Sequence, residues 1–124
     1  FIVSATESWL TPKVLPMLAF LITGIVAFST GTSWGTYAIM IPIAVPLAFN
    51  FSGNELDTVV YATIAAVAGG GVFGDHCSPL SDTSILASTG AASDHIDHIK
   101  TQMPYALLVG LISILIYLTI GWFL

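Results

Sequence analysis

The chain alternates between long apolar runs and short polar stretches, and this pattern predicts helices embedded in a membrane. The apolar runs cover residues 14–28, 37–51, 58–73 and 103–124, and the polar stretches cover residues 29–36, 50–57 and 91–102. A helix needs about 20 residues to cross the hydrocarbon layer. Residues 103–124 reach that length and carry Tyr117 and Trp122 towards their far end, as membrane boundaries favour. They predict a transmembrane helix.

Residues 14–51 form two apolar arms around the polar sequence STGTSWGT at residues 29–36. Each arm has about 15 residues, or about 22 Å as a helix, which is too short to cross a membrane alone. The segment therefore predicts either a re-entrant helical hairpin, which we favour, or one long pass broken in the middle. Pro42 and Pro46 are expected to kink or interrupt the second arm.

Residues 58–92 predict a discontinuous transmembrane helix, interrupted within GGGVFGDHCSPLSDTSI at residues 69–85. Glycine weakens helices and proline lacks a backbone donor, so we expect the backbone to open across Gly69, Gly74 and Pro79. Asp75 and Asp82 lie in this stretch. A charge near the bilayer centre costs about 2.5–3.5 kcal/mol on insertion scales, so carboxylates there indicate a functional site more than a structural salt bridge.

Composition agrees with a membrane protein, because 56% of residues are hydrophobic and 7% are charged. The net charge of −5 argues against nucleic acid or an anionic lipid surface as partner. The chain begins with Phe and lacks the basic n-region of a signal peptide. We expect a fragment whose missing N-terminal half supplies the second repeat. Residues 1–12 are predicted at the membrane boundary, and a homodimer is left open.

The oxygen-rich residues around the expected break predict a site that binds a cation and a proton in competition. A desolvated carboxylate without a basic partner holds a proton more tightly, whereas a nearby cation favours its release. His76 is a candidate proton relay. The predicted ligands are Asp75, Asp82, Ser78, Ser81, Thr83, Thr30, Thr32 and Ser33. The last three are equally well explained as caps at helix ends.

The polar residues 93–102 predict an interfacial segment with a short helix capped by Ser93 or Asp94. His95 and His98 are interpreted as solvated side chains that transport does not require. A zinc site that joins them and Asp94 to His76 and Cys77 is a weaker alternative, because no HExxH or paired-cysteine motif is present. No cofactor is predicted apart from the transported ions.

The sequence GDHCSPLSDT at residues 74–83 resembles the signature of the NhaC-type sodium/proton antiporter family. Residues 30–36 (TGTSWGT), 94–98 (DHIDH) and 102–106 (QMPYA) resemble the same family in the same order. Leu80 and Ser84 stand where the family pattern leads us to expect Ile and Thr. The resemblance implies an all-α polytopic membrane protein of the bacterial inner membrane. This chain would be one repeat of an inverted-repeat secondary transporter, in which a hairpin tip and a broken helix meet at the ion site.

Three functions are compatible with these residues. The first is exchange of sodium ions for protons across the membrane, with no enzymatic step. The second is a sodium- or proton-coupled antiporter of organic acids such as lactate and malate, or of amino acids. Such a carrier needs a cationic group that binds the substrate carboxylate. The segments of this chain that are predicted to lie within the membrane contain no such group. The third is an intramembrane metalloenzyme that uses His76.

Overall fold

The computed structural model describes residues 10–123 of the chain. This part contains five α-helices and no strand. The helices are α1 (Leu15–Thr30), α2 (Ser33–Phe51), α3 (Thr58–Cys77), α4 (Asp82–Gly90) and α5 (His95–Phe123). The predicted all-α class is confirmed for these residues. Most of the predicted boundary segment at residues 1–12 lies outside them, as does Leu124.

Three of these helices, α2, α3 and α5, are long and apolar enough to cross a membrane. The chain is therefore a membrane protein by length and composition. The helix α1 has 16 residues and is shorter than a full pass. The prediction that both arms of residues 14–51 are too short is wrong for α2, which has 19 residues and runs through Pro42 and Pro46 without interruption.

The helices α1 and α2 are joined by only two residues, Gly31 and Thr32. Gly31 has a φ of +71°, a left-handed conformation that favours glycine, and ends α1. The Thr32 hydroxyl accepts a hydrogen bond from the amide three residues later and begins α2. The predicted break over residues 29–36 is too long, because hydroxyls there bond to carbonyls four residues earlier and the helices continue. These hydroxyls belong to Ser29, Thr30 and Thr36.

The two helices fold back on each other. Leu15 near the start of α1 and Ala48 near the end of α2 belong to one buried cluster. Ala19 of α1 and Ala44 of α2 belong to the next cluster along the pair. The helices are therefore antiparallel, and the two ends of this segment lie close together.

The helix α3 packs against α1 at backbone distance. A Cβ at Gly70 would overlap the Phe20 carbonyl, and a Cβ at Gly74 would overlap the Gly24 carbonyl. Small residues allow this approach between membrane helices. The prediction that the backbone opens from Gly69 onwards is wrong, since α3 continues to Cys77. Gly70 and Gly74 allow α3 to pack closely against α1. Within residues 58–90 the helical conformation is interrupted only at residues 78–81.

The helix α5 has 29 residues and is about 44 Å long. The Asp94 carboxylate accepts hydrogen bonds from the Ile96 and Asp97 amides at 3.0 and 3.1 Å, which confirms Asp94 as the helix cap. The prediction that a short helix within residues 93–102 is separate from a helix beginning at residue 103 is wrong. A single helix runs from His95 to Phe123, and Pro104 does not interrupt it.

Candidate functional site

The helix α3 ends at Cys77, and side chains from other elements satisfy the backbone groups that become free there. The His76 carbonyl accepts hydrogen bonds from Ser84 Oγ at 3.2 Å and from Gln102 Nε2 at 3.0 Å. The Ser78 amide donates to the Asp75 carbonyl at 3.3 Å. A broken helix within a membrane requires such partners, because lipid offers none. Residues 78–81 are therefore a supported break between α3 and α4.

His95 fastens this break to α5 and α4. Its Nε2 lies 2.7 Å from the Pro79 carbonyl, and its Nδ1 lies 3.1 Å from Ser88 Oγ. A carbonyl only accepts, so Nε2 carries the proton and donates it. His95 is half-buried, and the interpretation of this residue as a solvated boundary side chain is wrong. Its role in holding the break is one that sequence reasoning missed.

The joint between α1 and α2 lies against the break. Gly31 packs on Leu80, where a Cβ would come within 2.8 Å of the Leu80 carbonyl carbon and oxygen. Ser78 Oγ donates a 2.7 Å hydrogen bond to the Phe28 carbonyl in the last turn of α1. Two interruptions that are far apart in sequence are thus in direct contact.

The Asp75 carboxylate accepts hydrogen bonds from two hydroxyls across the break. Ser81 Oγ lies 2.7 Å from Oδ1, and Thr83 Oγ1 lies 3.3 Å from Oδ2. The two hydroxyl oxygens are themselves 2.7 Å apart. Asp75 is half-buried and Ser81 is fully buried. Carboxylate and hydroxyl oxygens, the type of ligand that hard cations prefer, are gathered here.

Asp82 is placed differently from Asp75. It is the first residue of α4, its side chain is exposed, and its carboxylate accepts a 2.9 Å hydrogen bond from the Thr83 amide. A carboxylate in the first turn is favoured by the helix dipole. The hydrogen bonds join Asp75 to Ser81 and Thr83, and they do not include Asp82.

The predicted ligands Thr30, Thr32 and Ser33 lie at the joint between α1 and α2 and form no hydrogen bond with Asp75. Thr30 Oγ1 bonds to the Val26 carbonyl at 2.9 Å and lies 3.2 Å from Thr36 Oγ1. Thr32 is the cap of α2, and Ser33 is its first residue. Contact between the joint and the break passes through Gly31 and Ser78 instead. The spacing of these residues in the sequence does not indicate that Gly31, and not Thr30, Thr32 or Ser33, contacts the break.

His76 and Gln102 are hydrogen-bonded partners on α3 and α5. Gln102 Nε2 donates to the His76 ring as well as to the His76 carbonyl. Among residues 10–123, no group of three or more His, Cys, Asp and Glu side chains is arranged to hold a metal ion. Of the residues of the zinc alternative, His76 bonds to the Gln102 amide, and His95 bonds to the Pro79 carbonyl and the Ser88 hydroxyl.

Replacing His95 with alanine should loosen the break. The Pro79 carbonyl and the Ser88 hydroxyl each lose a partner, and an unsatisfied buried group costs about 1–3 kcal/mol. We expect a lower melting temperature of the full-length protein in detergent. The matched control is Ile96→Ala, one position away on an exposed side chain. Equal melting temperatures for the two variants would show that His95 does not hold the break.

Comparison with known proteins identifies a family that the chain matches. Residues 1–122 match the family model described as the Na+/H+ antiporter family. No solved structure matches the chain.

Three relatives are similar over most of the chain. An uncharacterized protein of Haemophilus influenzae is 46% identical over 110 residues, which are 89% of this chain and 20% of that protein. An uncharacterized Na(+)/H(+) antiporter of the same organism is 37% identical over 112 residues, 90% of this chain and 23% of that protein. The arginine/ornithine antiporter ArcD of Halobacterium salinarum is 35% identical over 113 residues, 91% of this chain and 22% of that protein. The chain thus spans less than a quarter of the length of each.

Proposed function

The chain belongs to the Na+/H+ antiporter family, and we propose that it contains the cation and proton site of a secondary transporter that exchanges sodium ions for protons. The observation that carries this proposal is the Asp75 carboxylate. Both of its oxygens accept hydrogen bonds from hydroxyls beside a broken helix. Of the two basic residues in the chain, Lys13 lies over the Trp122 ring and Lys100 is exposed.

In this proposal Asp75 binds one cation or one proton at a time. A sodium ion takes the carboxylate together with the lone pairs of Ser81 and Thr83, whose hydroxyl protons turn away from it. When a proton binds Asp75, the site loses its negative charge and releases the cation. Competition for one carboxylate couples the two flows without any covalent step. Asp82, next to Thr83 at the start of α4, is proposed as a second carboxylate of the same region, outside the hydrogen bonds of Asp75.

The proposal extends to the architecture of the whole transporter. We assign the chain to the NhaC type and to its C-terminal portion, on the sequence of residues 74–83. The antiparallel pair α1 and α2 is proposed to enter and leave on one side of the membrane as a re-entrant hairpin. A second, inverted repeat in the rest of the protein would complete the site. A multi-pass protein of the bacterial cell membrane fits these parts.

Exchange of cationic amino acids is the second candidate, because one relative is named an arginine/ornithine antiporter. A guanidinium or ammonium group is also a cation that Asp75 can pair with. The substrate carboxylate would then need a basic partner from the rest of the protein.

The experiment that tests these functions uses the full-length protein in vesicles that contain a pH-sensitive dye. An inward sodium gradient should drive proton export, whereas gradients of arginine or ornithine should leave the internal pH unchanged. Vesicles without protein are the control. Uptake of labelled arginine into vesicles preloaded with ornithine, without any sodium-driven change of internal pH, would overturn sodium exchange in favour of the second candidate.

A further inference from the structure

A cavity of about 310 Å³, lined mainly by residues that carry polar groups, lies beside the Asp75 cluster, between the end of α3, the start of α4 and the first turns of α5. Its lining consists of His76, Thr83, Ser84, Ala87, His98 and Gln102. None of these residues is a carboxylate or a lysine, so the cavity is lined by neutral dipoles and histidine rings. It differs from a neighbouring cavity of about 310 Å³ that is lined mostly by aromatic and aliphatic side chains.

Thr83 connects this cavity to the carboxylate. Its side chain lines the cavity, and its Oγ1 also lies 3.3 Å from Asp75 Oδ2 and 2.7 Å from Ser81 Oγ. A solute that leaves the cavity towards Asp75 therefore meets the Thr83 hydroxyl first.

Gln102 contributes an acceptor that lacks a donor. Its Oε1 is buried and receives no hydrogen bond from any residue in the described part of the chain. An unsatisfied buried acceptor costs free energy, and that cost is removed only if the amide turns so that Oε1 faces a donor such as a water molecule in the cavity. With about 30 Å³ for each water of the liquid, the cavity has room for several waters together with an ion.

We propose that this cavity is an entry site for a hydrated monovalent cation on its way to Asp75. Neutral oxygens and ring nitrogens hold the ion through its water shell, more weakly than a carboxylate would. Conduction towards a binding site requires such an intermediate position, which the ion enters readily and also leaves. His98 and Gln102 lie four residues apart on α5 and so share one face of that helix. This assignment rests on the proposed role of Asp75.

The test blocks the cavity chemically in the full-length transporter. Cys77, which is buried, and any other cysteine are replaced by serine, and His98→Cys is then treated with a thiol reagent that carries a quaternary ammonium group. We expect exchange to fall at least about tenfold relative to the same variant before treatment, because the attached cation occupies the entry site. Sodium should slow the modification.

Thr101→Cys is the matched control, since Thr101 is exposed on the same helix and does not line the cavity. It should react at a rate that sodium does not change, and without loss of exchange. Ala87→Cys, which lines the cavity from α4, is the second variant if His98→Cys does not fold. Failure of the cavity cysteine to react would overturn the proposal. So would full modification without loss of exchange, or an equal loss in the control.

The outcome is separable from that for Asp75. If modification blocks exchange but Asp75→Asn still exchanges sodium for protons, the entry site stands and the assignment of Asp75 fails. If Asp75→Asn is inactive and modification has no effect, the reverse holds.

Discussion

Asp75→Asn is expected to abolish sodium-driven proton movement. Asparagine keeps the shape of the side chain and one oxygen acceptor, but it removes the negative charge that attracts a cation and the group that accepts a proton. Loss of residues that merely support a metal ligand costs 10–100-fold in affinity, so loss of the ligand itself should reduce exchange by about 100-fold or more. The measurement is the initial rate of internal pH change in vesicles, over a range of external pH.

Asp82→Asn is the natural comparison for this variant. Asp82 is exposed and lies outside the hydrogen-bonded cluster of Asp75, so its replacement should cost much less than that of Asp75. Equal losses in the two single variants would instead support a site shared by both carboxylates, as predicted from the sequence. Near wild-type exchange by the double variant would show that the site lies elsewhere.

Gly31→Val should separate the joint of α1 and α2 from the break, and exchange should be lost with it. The substitution places a β-branched side chain at a φ of +71° and drives it into Leu80. The strain of such a conformation costs about 1–3 kcal/mol, and overpacking adds a similar amount. Thermal unfolding in detergent and exchange in vesicles measure the two effects.

Gly53→Val is the control that separates the effect of contact with Leu80 from the effect of backbone strain in Gly31→Val. Gly53 has a φ of +67°, and no atom of the described residues lies within 4 Å of the position that a Cβ would occupy there. It therefore shares the backbone strain of Gly31 without its neighbour. We expect Gly53→Val to be destabilised less and to retain exchange. If both variants lose exchange to the same degree, contact between Gly31 and Leu80 is not required for transport.

The elements that the sequence predicted well are those whose cause is local. Hydropathy over about 20 residues identifies a membrane helix, and Pro79 among serines marks the place where the helix ends. The cap at Asp94 also follows from its immediate neighbours. Asp75 stands out as a candidate because it is a carboxylate in apolar surroundings, and Ser81 and Thr83 because they are close to it in sequence.

The errors arose where a distant partner decides the outcome. Gly70 and Gly74 have the composition of a helix break, yet their role depends on Phe20 and Gly24, which lie about 50 residues earlier. The error at His95 has the same origin, because nothing nearby in sequence indicates the Pro79 carbonyl. Spacing offered one usable signal, since His98 and Gln102 fall on one face of a helix once residues 95–123 are read as continuous.

The close contact between α1 and α3 has a consequence for how the proposed transporter would move. At Gly70 and Gly74 the backbones touch where only a hydrogen atom fits. Sliding by one turn would bring Ala66 or Ser78 against one of these two contacts, where even a Cβ overlaps the opposite carbonyl. During alternating access the two helices should therefore travel together as one rigid body, carrying the Gly31 joint and the break with them. The site would then open alternately to the two sides of the membrane through movement at the outer surfaces of this rigid body, where the body contacts the rest of the protein.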